Sequence, residues 1–448
     1  MAHHLVVDGV SWRILLTDLA TAWTGGELAP VPVSFRRWAL QTTATPLTGQ
    51  AATRSTAPAA DPLLGDRALD PAVDTVATRR ELTVEVPADV TEALLTRVPA
   101  AFHARVDDVL LAAFAAAVTR WRERRGQDAG DGVLVDLEGH GRDGVDLDLS
   151  ETVGWFTSMH SVRLHAAGEP ARLLKSVKEQ LRAVPDGPDA DGPAAQLAFN
   201  YLGRFGDQGG GDFTPAGDGP ALGGGADPGL PLAHAVTLNA LSHEHADGQR
   251  LRAMWSWAGD LLTEAEVRDL ADEFTTALHT VAAAGAGGFT PSDFPLVSLT
   301  IEDVEQLESA YPDLTDVLPL APPQEGLLFH ALVDEVDVYT AQIRLDLDGE
   351  LDPDRLHRAA QAVLDRHDNL RVAFHHEGLD EPVQVVRAEV RVPWRQDDLT
   401  GRAAEADSIA AAERDEPFDL TVAPLLRWRL LRLGAGRHRL VLTSHHLL

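Results

Sequence analysis

The sequence predicts an α/β fold built as more than one compact unit, on three observations. Apolar residues recur at helical spacing in some windows and alternate in others along the whole chain. At 448 residues the chain is long enough for about three units. The composition changes at GGFTPSDFPLVSL (287–299), and a second α/β pattern starts beyond it.

Taken in order, residues 11–23 put Ile14, Leu15, Leu19 and Trp23 near helical spacing, with Ser11 as the expected N-cap. FRRWALQ is a second helical piece, and residues 45–76 mix Pro, Gly, Ala and Thr without a period, as a linker does. Leu82, Val84 and Val86 alternate as a strand, and Asp107 or Asp108 can cap a long apolar helix ending near Trp121. GVLVDLEGHGR (132–142) is a short apolar run that breaks into a glycine-flanked loop, as a buried strand ending at a site would. An amphipathic helix is expected over 169–183, and LAFNYLGRF (197–205) reads as a strand entering a turn. Residues 206–231 are glycine-rich and expected to be mobile. Strands near 235–241 and 249–257 flank HEHADG, a hairpin with a solvated tip. TEAE (263–266) is a capping box for a helix running to about Ala284.

In the second pattern, PPQEGLLFHALVD starts a helix with Pro near its first position, and AQIRLDL alternates as a strand. Asp352 caps a helix whose buried stripe is Leu356, Ala359, Ala360, Val363 and Leu364. LRWRLLRL and RHRLVLTS pair across a GAGR turn and lead into His445 and His446.

Composition narrows the functional classes. Asp and Glu outnumber Lys and Arg by 69 to 38, a formal charge of −31, and such a field repels a phosphate backbone, so no nucleic-acid partner is expected. The absence of cysteine excludes disulfides, thiolate metal sites and cysteine nucleophiles. No window approaches the roughly 20 apolar residues of a membrane span, and the N-terminus lacks a signal peptide's basic flank and apolar run. The expectation is a cytoplasmic protein without a membrane partner.

The chemistry-bearing stretch is HHLVVDG (3–9). Adjacent histidines in an extended segment send their rings to opposite faces, so one can pack while the other enters a cleft. Asp8 and Gly9 are expected in a tight turn, glycine permitting positive φ. A histidine held beside such a turn suits proton transfer near neutral pH. From this segment alone, two histidines satisfied by backbone partners are the reading to prefer. A metal site through His4 and Asp8 lacks a third ligand at suitable spacing, and none is expected.

HHLVVDGVSWRILLTDL resembles the histidine motif of the condensation-domain superfamily of nonribosomal peptide synthetases. LEGHGRD (137–143), ETVGWFTSMHSVRL (151–164) and FNYLGRF (199–205) resemble motifs of its epimerization branch, in family order and at family-like distances, over about residues 1–300. FTPSDFPLVSL is similar to the usual end of an epimerization domain. LPLAPPQEGLLFH (318–330), RHDNLRVAFH (366–375) and SHHLL resemble the first three motifs of a further condensation domain.

The resemblance implies two-layer, chloramphenicol-acetyltransferase-like lobes, truncated at both ends. Residues 1–43 would end one N-terminal lobe, 44–77 would be a linker and 78–290 a C-terminal lobe. Residues 291–315 would be an interdomain linker, and 316–448 part of the next N-terminal lobe. With most of the first N-terminal lobe absent, little epimerase activity is expected of the chain by itself.

The resemblance also implies chemistry: exchange of the Cα proton of an aminoacyl or peptidyl thioester. His4 and Glu138 are the implied catalytic pair, since inversion needs one group to remove the proton and another to return it on the opposite face. A water-poor cleft that raises the Glu138 pKa would favour it as base; read without the motif, Glu138 is a loop carboxylate paired with Arg142. His3, Asp8 and Gly9 are implied supports, Asp8 through an arginine. His140 and Arg142 would shape the Glu138 loop, and Asn200 and Tyr201 would line the cleft, packing being an equal alternative for Tyr201. His446 would be the catalytic-position histidine of the downstream condensation motif, with His445 beside it, and His375 is a packing or surface residue. No cofactor is expected to bind directly. The substrate would arrive on the phosphopantetheine arm of a peptidyl carrier protein, with adenylation and condensation domains as further partners. Two readings compete: a catalytically inactive docking segment, and a CoA-dependent acyltransferase of the same superfamily, which would not be expected to carry EGHGR and FNYLGRF together.

Overall fold

A computed structural model describes residues 4–44, 61–127, 131–139, 141–142, 147–183, 193–205, 227–245, 247–285, 287–333 and 339–448, without the side chains of residues 4, 42–44 and 205. The chain forms two compact units, Met1–Gly287 and Gly288–Leu448.

The first unit opens with a 3-10 turn, His4–Val6, then helices α1 (Gly9–Trp23) and α2 (Phe35–Ala44). Strand β1 (Arg79–Val86) is followed by short helices α3 (Ala88–Glu92) and α4 (Val98–Ala101) and by the long helix α5 (Val106–Arg124). Then come β2 (Val133–Gly139), β3 (Ser158–Leu164), α6 (Pro170–Arg182), β4 (Leu197–Phe205), β5 (Val236–His245), β6 (Gly248–Ala258) and α7 (Glu264–Ala282). The strands form one sheet in the order β1-β6-β5-β4-β2-β3. The β2–β4 and β4–β5 pairs are parallel and the others antiparallel.

Strand alternation decides what each sheet face carries. Val135, Leu137, Phe199, Leu238 and Trp255 are buried in the core that also takes helices α5 and α7. Phe114 of α5 sits 5.6 Å from Phe199, 6.1 Å from Trp255 and 6.2 Å from Phe274 of α7. The alanine-rich α5 is buried along nearly its whole length, which small side chains permit. The residues between those of the core in β2 and β4, Asp136, Glu138 and Asn200, face the other way, and that face holds the candidate site.

Several local expectations change. Asp107 does not cap α5. The Asp108 carboxylate accepts from the Arg105 amide at 2.7 Å and also binds Arg182. Residues 61–77, expected in a linker, lie against the core. Leu64 is fully buried, and the Asp61 carboxylate takes Arg122 (2.6 Å), Arg163 (2.7 Å) and the Leu134 amide (3.0 Å). The capping box of α7 forms as its residues dictate, with Glu266 Oε2 accepting from the Thr263 amide at 2.9 Å. His243 lies within β5 beside Glu85, 3.4 Å away, rather than at a solvated tip. Residues 206–226 fall outside those described.

The second unit contains α8 (Ile301–Ala310), β7 (Leu314–Pro319), α9 (Pro322–Val333), β8 (Thr340–Asp348), α10 (Pro353–Arg366), β9 (Val372–His375), β10 (Val383–Arg387), β11 (Trp394–Asp398), α11 (Ala406–Asp415), β12 (Leu426–Gly434) and β13 (Arg437–His445). Two sheets result, β7-β10-β9 and β11-β12-β13-β8. Asp352 caps α10 by accepting from the Arg355 amide at 3.0 Å. The helix buries a narrower stripe than expected: Ala360 and Leu364 pack on Val390 and Val392, whereas Ala359 and Val363 are exposed. Among the described residues no helix is long and apolar enough to cross a membrane.

Candidate active site

The site is framed by the N-terminal end of α1 and the C-terminal ends of β2 and β4. Asp8, not Ser11, is the N-cap of α1, accepting from the Ser11 amide at 2.7 Å. The Asp8–Gly9 turn expected from the sequence does not form, because Gly9 already belongs to the helix. A Cβ at Gly9 would meet nothing within 4 Å, so packing sets no requirement for glycine there. Residues 4–6 form a 3-10 turn rather than the extended segment expected. His3, the His4 side chain and His140 lie outside the described residues.

Asp8 is buried and fully engaged. Arg142 Nη1 and Nη2 donate to its two oxygens at 2.6 and 3.1 Å, and the Phe156 amide donates at 3.2 Å. Burial pushes the Asp8 carboxyl up, but the bonds from Arg142, Ser11 and Phe156 outweigh it and hold the group below its usual range. Among the described residues no group of three His, Asp or Glu side chains is placed to hold a metal ion. Arg142 also reaches the Thr152 carbonyl at 3.2 Å and lies 4.2 Å over the Phe156 ring. It therefore pairs with Asp8 rather than Glu138, correcting the reading of Glu138 as Arg142's partner. Ser11 is not a cap but a two-way bridge. Its hydroxyl donates to the Gly154 carbonyl (2.8 Å) and accepts from the Gly154 amide (3.0 Å).

Glu138 sits near the end of β2, on a strand and not in a loop, with Met159 of β3 opposite it. Its Oε2 accepts from Asn200 Nδ2 at 3.1 Å. The parallel register, Leu137 beside Phe199, brings these two side chains together. Glu138 is exposed, so the water-poor setting expected of it is not found. It points to the sheet face opposite α5 and α7, on which Asp136 and Asn200 are half-buried. Two residues earlier, Asp136 binds His234 Nε2 at 2.8 Å and Ser161 Oγ at 2.6 Å. Burial raises the Asp136 carboxyl, and those two bonds more than reverse the effect. Tyr201 is half-buried, with its hydroxyl 3.3 Å from Ser242 Oγ and its pKa pushed up by burial.

In the second unit, His445 is buried, and its Nδ1 accepts from the Leu447 amide at 3.2 Å. His446 is exposed, while its amide bonds the Tyr339 carbonyl at 2.9 Å. The two rings thus sit in different environments, His445 at the end of β13 and His446 in the turn that follows it. His375 packs edge-on against Tyr311.

Sequence reasoning passed over Arg13, whose guanidinium donates to the Leu202 carbonyl, and the Asp136–His234 pair. Arg13 lies inside the motif already singled out. His234 is 98 residues from Asp136, and no local pattern joins them.

The chain matches the family described as Condensation domain over residues 1–191 and 314–448. It is 35% identical to a linear gramicidin synthase of Brevibacillus parabrevis, over 100% of this chain and 6% of that protein. It is 29% identical to bacitracin synthase 3 of Bacillus licheniformis, over 100% of this chain and 8% of that protein. The chain thus spans less than a tenth of these curated relatives. Among solved structures, it is similar to the epimerization domain from the third module of tyrocidine synthetase B. That match has 29% identity and a TM-score of 0.53, covering 62% of this chain and 67% of the other.

Proposed function

The chain belongs to the condensation-domain family and has its chloramphenicol-acetyltransferase-like α/β fold, and from that premise we propose that it is a segment of a nonribosomal peptide synthetase whose first unit epimerizes the Cα of a carrier-bound aminoacyl or peptidyl thioester. The second unit, in this reading, belongs to a condensation domain that forms the next amide bond, with His446 in the catalytic position. Peptidyl carrier, adenylation and condensation domains are the partners, and the carrier's phosphopantetheine arm delivers the thioester.

The observation that carries the reading is the bracing of two motifs against each other. Arg142 stands four positions after Glu138, and Asp8 four positions after His4, and the two are bonded in a buried pair. The geometry therefore keeps the backbone of the His4 turn tied to the strand end that bears Glu138. Glu138 removes the Cα proton, the thioester carbonyl takes up the resulting charge as an enolate, and the His4 imidazolium returns a proton to the opposite face. The Asn200 amide, donating to Oε2, fixes the carboxylate's rotamer. The solved epimerization domain, at 29% identity, favours this chemistry over acyl transfer to a CoA-type acceptor.

The test is wash-out of deuterium from the Cα of a carrier-loaded aminoacyl thioester by the intact synthetase. Exchange that disappears with Glu138→Gln supports the proposal. Exchange that survives it refutes the role of Glu138, and an intact synthetase that exchanges nothing leaves the docking-segment reading in its place.

A further inference from the structure

We infer that Arg13 is a positioning residue that, by clamping the bulge of β4, sets Asn200 against Glu138. This rests on the proposed role of Glu138, although the contact itself does not.

Strand β4 follows β5 in regular parallel register through Tyr201 and then shifts before Arg204. A bulge re-aims the side chains beside it, and such features concentrate near functional sites. At this one Gly203 has φ +80, a left-handed conformation that glycine adopts without penalty. The guanidinium of Arg13 reaches across from α1 to this point and donates through Nη2 to the Leu202 carbonyl. Both terminal nitrogens lie 3.8 Å from where a Cβ at Gly203 would stand, so the planar group covers the bulge. Leu202 is two positions after Asn200, whose amide holds Glu138.

Together with the Arg142–Asp8 pair this makes a closed circuit. Helix α1 is tied through Asp8 and Arg142 to the end of β2, through Glu138 and Asn200 to β4, and through Leu202 and Arg13 back to α1. The two arginines brace the helix and the strand ends at neighbouring points. A guanidinium suits this use because its donors keep a fixed planar geometry. Removing it frees the bulge to relax, and Asn200 then loses its angle onto Glu138.

The experiment follows the Asn200 side-chain amide by 15N NMR of the full chain, its resonance assigned with Asn200→Ser. Arg13→Met is expected to move this resonance to the position it takes in Glu138→Ala, where the acceptor is gone. Arg13→Lys, which can still donate to the Leu202 carbonyl, is expected to restore at least half of the displacement. A merely structural Arg13 would lower the unfolding temperature and leave the Asn200 resonance unmoved, and that result overturns the inference. So would an Asn200 resonance unaffected by Glu138→Ala. None of these readouts needs catalysis, so loss of exchange activity in the intact protein bears on the function proposed above and not on this contact.

Discussion

Asp8 and Arg142 form a two-bond ion pair, 2.6 and 3.1 Å, with both side chains more than nine-tenths buried. Asp8 caps α1, and Arg142 follows the strand that carries Glu138, so one contact joins the two motifs. Breaking a buried pair by removing one partner leaves the other charge without compensation, at a cost of about 3–5 kcal/mol. Arg142→Met is expected to destabilise the first unit by that amount. Urea unfolding followed by tryptophan fluorescence checks it, and a change below about 1 kcal/mol, the range of an exposed pair, would mean that the pair does not brace the site.

The same pair sets an acid limit. The Asp8 carboxyl is held below the unfolded value of about 3.9. Its contribution is therefore fully present above the unfolded pKa and is lost as pH falls through the lower folded one. Asp136, held down by His234 and Ser161, acts in the same window and with the same sign. Urea midpoints measured from about pH 6 down to about pH 2.5 should fall steeply in the wild type. They should fall less steeply in Asp8→Asn, which begins from a lower stability, and parallel curves would contradict the assignment.

Asp61 makes a comparable test at the other end of β2. Its carboxylate is nearly buried between Arg122 and Arg163 and also accepts from the Leu134 amide. Asp61→Ala leaves two cations and one amide without their acceptor, and a loss of about 3–5 kcal/mol is expected. Limited proteolysis should then open the segment around residues 61–77 first. Unchanged cleavage there would show that this stretch is not held through Asp61.

In the second unit the two histidines should separate cleanly. His445→Ala leaves the buried Leu447 amide without its acceptor and costs about 1–3 kcal/mol. His446→Ala removes an exposed ring and should leave the urea midpoint at the wild-type value. Equal destabilisation by both would contradict the division between a packed and an accessible imidazole.

Local features of the fold were legible where one short stretch contains both partners. The Thr263–Glu266 capping box and the Asp352 cap form as their residues dictate, because each joins groups three positions apart. The sheet strands were legible from alternation at β1 and β8 and from a short apolar run at β2. The start of α1 was misplaced because Ser11 and Asp8 are both good caps, and only the tertiary demand of Gly154 on the Ser11 hydroxyl decides between them. Asp61 could not be read as a core ion, since its partners are 61, 73 and 102 residues away. The exposure of Glu138 was equally hidden, because alternation says which way a side chain points and not what covers it. Arg13 was visible as a letter within the histidine motif, but its role depends on a β4 bulge that no periodicity announces.

The central claim is that Glu138 takes the proton from a thioester's α-carbon, and chiral analysis of the amino acid released from an L-loaded carrier tests it most directly. The intact synthetase should convert the L-thioester to a mixture of L and D forms, and reach the same mixture from the D-thioester. Glu138→Gln should leave either form unchanged over the same period. Equal interconversion by Glu138→Gln would contradict the claim.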